Sequence, residues 1–138
     1  MNAIRKTLMV AVAATIALAE GACSKDQEIL AFVGEFDAFS AAIVKDVKTA
    51  PSPSTGVDTA QKYLDENRAA IRQKLQAIKS VRNFEVSEDT RKKVEASLTS
   101  SATAVAGLPL EYVSQMARDA AFRSKMEKLV KDYQSVLE

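Results

Sequence analysis

Apolar residues recur at every third or fourth position along most of the chain after Ser24, which is the repeat of an α-helix with one buried face. The 138 residues include only 4 glycines and 3 prolines, the two residues that interrupt helices most strongly. The chain is therefore predicted to be all-α. In the first helical segment the apolar positions are Ile29, Phe32, Val33, Phe36, Phe39 (or Ser40), Ile43 and Val47.

Turn-forming residues divide the helical pattern into four segments. The clearest break is 51–56, where two prolines favour extended backbone and a glycine permits a turn. Ser87 is typical of a helix N-cap. Gly107 and Pro109 end one helix and begin the next, in the positions that glycine and proline favour. The predicted helices are 24–49, 58–81, a third from the Ser87 cap to 106, and 109–137, with Phe84 and Val86 packed at one end of the bundle.

Four amphipathic helices joined by short connectors predict an antiparallel up-down four-helix bundle. If Gly107 and Pro109 only kink a continuous helix, the same pattern describes three long helices. The domain organisation predicted is a signal peptide at 1–22, followed by a single helical-bundle domain at 23–138. About 116 residues are enough to bury a core without disulfides.

The composition excludes several classes of function. The chain has no histidine, which is the commonest general base and transition-metal ligand, and its single cysteine cannot form an internal disulfide. Residues 23–138 carry 17 basic and 17 acidic side chains, whereas nucleic-acid binding requires a basic surface. We therefore expect no enzymatic activity, no catalytic residues, no metal, no cofactor and no nucleic-acid partner.

Three groups of residues invite a functional interpretation, and each also has a structural one. The acidic pairs Asp65/Glu66 and Glu88/Asp89 diverge by about 100° on a helix, so we interpret them as solvated or capping charges. Asn67 falls on the apolar face of the second helix and is interpreted as a structural polar residue. The aromatic stripe is interpreted as core rather than as a ligand-stacking surface; it comprises Phe32, Phe36 and Phe39.

Small side chains fill the segment 96–106, ASLTSSATAVA, in the third helix. Small residues allow two helices to approach closely, which is the structural interpretation. The alternative is that they leave room for a small apolar ligand.

The first 24 residues have the pattern of a targeting signal. Arg5 and Lys6 form a basic start, 8–19 is an uncharged apolar run, and small residues lead to Cys23. This order is typical of a secretory signal, and the run is shorter than the roughly 20 residues that span a bilayer.

The sequence LAEGAC at 18–23 resembles the lipobox of bacterial lipoprotein precursors. The resemblance implies that signal peptidase cuts after Ala22 and that Cys23 becomes an acylated, palmitate-type lipid anchor. It also implies location in the bacterial cell envelope, and Ser24 after the cysteine favours the outer membrane.

Two other outcomes remain open for this segment. The first is cleavage at Ala17-Leu18-Ala19, which would give a soluble periplasmic protein with a free Cys23. The second is an uncleaved anchor. Three observations favour a non-catalytic lipoprotein that binds a protein partner. They are the predicted lipid anchor, the absence of catalytic groups from the sequence pattern, and the long helical faces. The alternative function is a soluble or tethered carrier of a small apolar ligand or lipid.

The lipid-anchor hypothesis makes one direct prediction. Cys23→Ser removes the sulfur that would carry the lipid, and stable anchoring requires acyl chains. We expect the variant to move from the membrane fraction to the soluble fraction of its host, measured by fractionation and immunoblotting. Unchanged membrane retention would contradict acylation at this residue.

Overall fold

A computed structural model describes residues 25–81 and 85–138, so the predicted signal, Cys23 and Phe84 lie outside the described residues. The described part contains helices and no strand, which confirms the all-α prediction. The six helices are α1 Asp26–Thr49, α2 Pro53–Lys79, α3 Glu88–Ala106, α4 Leu108–Glu111, α5 Val113–Arg118 and α6 Ala120–Leu137.

Helix α1 contributes one buried face to the core. Acidic residues in its first turn and Lys48 in its last complement the helix dipole. The predicted stripe is buried except at Val33, which is only half-buried, and Ser40 is buried together with Phe39. The buried residues of α1 are Ile29, Phe32, Phe36, Phe39, Ser40, Ile43 and Val47.

Helix α2 begins at Pro53, five residues before the predicted start at Asp58. Ser52 is its N-cap, and the Ser52 side chain accepts a hydrogen bond from the Thr55 amide. Proline is tolerated in a first helical turn because the amides there have no helical acceptor. The prediction of a connector over 51–56 was therefore too long.

Gly56 lies inside α2 and has a packing role rather than a turn role. A Cβ at this position would stand 2.7 Å from the carbonyl oxygens of both Asp46 and Val47. Because only glycine lacks that atom, the first turn of α2 can rest directly on the last turns of α1. This contact fixes the tight turn between the two helices.

Helix α3 begins as predicted, with Ser87 as the N-cap accepting from the Thr90 amide. The Asp26 carboxylate in α1 accepts the Ser87 amide hydrogen, which ties the start of α3 to the start of α1. Only three α3 side chains are buried, and two of them are polar: Thr90, Ser101 and Val105. Helix α3 is therefore the least firmly packed of the long helices.

The predicted helix 109–137 is not continuous, and that part of the prediction was wrong. Tyr112 separates α4 from α5, and Asp119, in extended conformation, separates α5 from α6. The Asp119 side chain accepts the Phe122 amide as the N-cap of α6. An aspartate that bonds a nearby amide in this way competes with the helical backbone, which explains the break.

Gly107 also differs from its predicted role. Its φ of −77° and ψ of −19° are right-handed helical values, not the left-handed values of a C-terminal glycine cap. Pro109 does lie in the first turn of the next helix, as predicted.

Contacts along the helices show that α1 and α3 run parallel. Asp26 meets Ser87 at one end, and at the other end Lys48 forms a 2.8 Å ion pair with Glu111, just beyond α3. Helix α1 packs mainly on α2 and α3, whereas α3 has few contacts with α6.

Helices α2 and α6 also run parallel, since Asp58 pairs with Lys125 near their starts and Lys79 donates to the Leu137 carbonyl at their ends. Helix α2 runs antiparallel to α1 after the tight turn at Gly56. Helices α3 and α6 therefore point in opposite directions, and the three-helix alternative does not hold.

The close approach at Gly56 predicts opposite effects for two alanine substitutions. Gly56→Ala forces a methyl group onto two backbone oxygens, and overpacking of this kind costs about 1–3 kcal/mol of unfolding free energy. Gly34→Ala is the control, because Gly34 is exposed in α1 and a Cβ added there would meet nothing within 4 Å, so alanine should stabilise by about 0.5–1 kcal/mol. Urea unfolding followed by circular dichroism measures both. Equal effects would contradict the packing role.

Candidate functional site

A buried pair of hydroxyl groups lies at the centre of the core. The Tyr133 hydroxyl in α6 is 2.7 Å from the Ser40 hydroxyl in α1, and Ser40 also donates to the Phe36 carbonyl at 2.9 Å. The rings of Phe36 and Phe39 flank Tyr133 with centroid distances of 6.3 and 6.1 Å. The pair satisfies its own hydrogen bonds within an aromatic cluster, so it serves the core and is closed to a substrate.

Burial raises the pKa of Tyr133 to about 12, because the phenolate would lose its hydration inside the core. The hydrogen bond between Tyr133 and Ser40 opposes this shift, and the negative charge of Asp37 adds to it. Tyr133 thus stays protonated at any physiological pH and is unsuited to acid–base chemistry.

A groove of about 750 Å³ lies between α1 and α3, and we call it the α1/α3 groove. One wall carries the apolar side chains of α1 next to its core stripe, and the other carries the small side chains of α3. The residues that line it include Leu30, Val33, Asp37, Ala41, Val44 and Lys45 of α1, and Lys93, Ala96, Ser97, Ser100, Ser101 and Ala104 of α3.

The groove is a surface feature rather than an enclosed cavity. Four of its small lining residues are exposed, and Val33 is half-buried. These four residues are Ala41, Ala96, Ser100 and Ala104. The segment 96–106 therefore lines an open apolar channel along α1. The small residues allow α3 to contact α1 closely, and they leave space on the outer side of the contact.

Asp37 is the acidic group in this groove. The hydroxyls of Ser97 and Ser101 both donate to one oxygen of its carboxylate, with the Ser101 bond at 3.1 Å. These bonds join α1 to α3 and hold the carboxylate in place, because each restricts the side-chain rotation of an exposed residue. Asp37 was not among the residues that the sequence pattern singled out.

A polar seam joins α2 to α6 on another side of the molecule. The Gln61 amide donates to Asp132 at 2.9 Å and to Asp65 at 3.2 Å. The ion pair with Lys128, followed by the bond from Gln61, lowers the pKa of Asp132 against the opposing effect of burial. The bond from Gln61 to Asp132 aligns the two helices.

The residues considered from sequence take structural roles. The Asn67 amide donates to the Tyr63 carbonyl at 2.8 Å, one turn earlier. The acidic pairs are exposed, with Glu66 near Lys62 and Glu88 paired with Lys92. The aromatic stripe is core, as interpreted. Cys23 lies outside the described residues, and within the described ranges no cluster of carboxylates or cysteine could hold a metal ion.

A second apolar surface lies at the end of the molecule where α1 finishes. Leu110 in α4 is 78% exposed and Val113 in α5 is 58% exposed. Glu111 between them pairs with Lys48 at the end of α1. This ion pair holds the Glu111 carboxylate beside the two exposed apolar side chains.

None of the helices within 25–81 and 85–138 combines the length and hydropathy needed to cross a membrane. Comparison of the chain with protein-family models, curated proteins and solved structures gave no match.

The raised pKa of Tyr133 predicts a specific loss of stability in alkali. Between about pH 10, where an unfolded tyrosine ionises, and pH 12, only the unfolded state releases this proton, so the free energy of unfolding falls as pH rises. Tyr133→Phe should be less stable near neutrality by about 1 kcal/mol, through loss of the bond to Ser40. Its stability should fall less steeply across this interval in urea unfolding at several pH values. Parallel pH curves for the two proteins would contradict the assignment.

Proposed function

We propose that this protein is a non-catalytic lipoprotein of the bacterial cell envelope, tethered by an acylated Cys23 and acting by binding another protein. The observation that carries the tether is the lipobox-like LAEGAC sequence after a basic and apolar leader. Outer-membrane attachment is the favoured location, and a soluble periplasmic form is the alternative.

The geometry supports a binding role over a catalytic one. The buried hydroxyl pair is sealed in the core, and Asp132 of the α2/α6 seam is bonded to Gln61 of α2 and to Lys128 of α6. A binding role needs only an accessible, shaped surface, and the α1/α3 groove provides one.

A carrier of a small apolar ligand is the second candidate function. The observation in its favour is the apolar α1/α3 groove beside 96–106, where the small residues leave space. Ligand pockets usually bury most of the ligand surface, however, and this groove is open. A protein partner, which buries the groove by covering it, therefore fits the geometry better.

For the architecture we propose an up-down four-helix bundle in which α4, α5 and α6 together form the fourth element. This proposal is supported by the alternating directions of α1, α2, α3 and α6 along the chain. Because α1/α3 and α2/α6 are parallel neighbours, the packing order differs from that of a bundle with antiparallel neighbours throughout.

The intact mass of the mature protein, purified from the membrane fraction of its own host, tests the tether. We expect a chain that starts at Cys23 and carries two or three acyl chains. A soluble chain that starts at Glu20 without acylation would overturn the lipoprotein proposal and move the carrier function ahead.

A further inference from the structure

We propose that the α1/α3 groove binds one amphipathic helix of the partner protein, with a basic residue of that helix paired to Asp37 and acidic residues on either side of it. The inference rests on the proposed function, because it names the surface and the partner chemistry through which that function acts.

The dimensions of the groove match a helix. Its α1 wall extends from Leu30 to Lys45, which is about 22 Å or four helical turns at 1.5 Å per residue. Leu30, Val33 and Val44 give that wall an apolar surface. Helices that pack side by side need axes 8–10 Å apart, and small side chains on one wall allow that approach.

The small wall is formed by α3. Ala96, Ser100 and Ala104 repeat at intervals of four residues, so they form one ridge along the exposed side of this helix. Larger side chains of a partner helix can pack against this ridge and reach the apolar side chains of α1. An apolar stripe on the partner is therefore required.

Asp37 sets the polarity of the middle of the groove. Its carboxylate is exposed, yet two serine hydroxyls hold it in position. A charge that is already ordered loses less conformational entropy when a lysine or arginine binds to it. The groove therefore favours a basic residue at the centre of the partner helix.

Lysines flank Asp37 along the groove. Lys45 lies eight residues further along α1, about 12 Å away along the axis. Lys93 lies one turn before Ser97, the residue that bonds Asp37, and so about 6 Å away in the other direction. The complementary helix carries an acidic residue four positions from its basic residue on one side and another seven or eight positions away on the other.

The same charge order argues against a second copy of this chain as the occupant. A twofold contact centred on Asp37 would bring Asp37 near Asp37 and Lys45 near Lys93 of the other copy. Like charges placed opposite one another destabilise an interface. That register is therefore disfavoured, and the occupant proposed is a separate protein whose helix carries the complementary charge order.

Site-specific photocrosslinking in living cells of the host tests the proposal with the full chain. Benzoylphenylalanine replaces Ala41 in the groove, and a matched probe replaces Ala70, which is also exposed and lies on α2 outside the groove; a third probe replaces Leu110. We expect a crosslink from position 41 only. Mass spectrometry of the crosslinked peptide should identify a sequence with apolar residues at helical spacing and the acidic, basic, acidic order.

Charge reversal then tests the pairing. Asp37→Lys should lower the crosslink yield at position 41 about tenfold, while circular dichroism confirms that the variant is folded. Changing the basic residue of the identified partner helix to glutamate should restore the yield. As a steric test, Ala41→Trp should prevent partner copurification, and Ala70→Trp should leave it unchanged.

Each other outcome overturns the inference in a distinguishable way. Crosslinks from position 70 or 110 alone would show that a partner binds elsewhere, so the proposed function would stand without this site. A crosslink at position 41 to a second copy, or to a lipid or small molecule, would identify a different occupant. The absence of protein crosslinks at all three positions would count against both the site and the protein-binding function.

Discussion

Burial of the aromatic stripe on α1 is the interaction on which the rest of the structure depends. Phe36 and Phe39 are almost completely buried, and their rings contact Tyr133 from α6, while Phe39 also contacts Tyr63 from α2. One face of α1 therefore packs against α2 and α6, and the adjacent face packs against α3. The single cysteine permits no disulfide within the chain, so the core depends on apolar packing, to which large aromatic side chains contribute most per residue.

The helices and their buried faces were predictable because burial follows the helical repeat, which is visible in the sequence. The cap at Ser87 was predictable because it is a local interaction, in which the side chain accepts a bond from an amide three residues away. Two features could not be found this way. The role of Gly56 depends on how closely another helix approaches, and the break at Asp119 reflects a local competition in which side-chain capping prevailed over continuous helix.

Only one wall of the α1/α3 groove could be predicted from the sequence. The small residues of 96–106 indicated either close packing or open space, but not which helix would face them. Val33 was assigned to the core stripe, and nothing in the local pattern distinguished Asp37 from other surface carboxylates. A second apolar stripe displaced from the first could have indicated this face, since Leu30, Val33, Ala41 and Val44 follow the helical repeat one position away from the core residues. The tether at Cys23 remains a prediction.

The shallow burial of α3 has a consequence for how the molecule moves. A helix that buries only Val105 and two polar side chains should undergo local unfolding at a lower free energy than the α1–α2 pair, and its amides should exchange hydrogen sooner. The Asp37 bonds to Ser97 and Ser101 oppose that opening. Whatever occupies the groove contacts α1 and α3 together, so occupancy would hold α3 in place. By thermodynamic reciprocity, a firmly attached α3 would in turn strengthen binding.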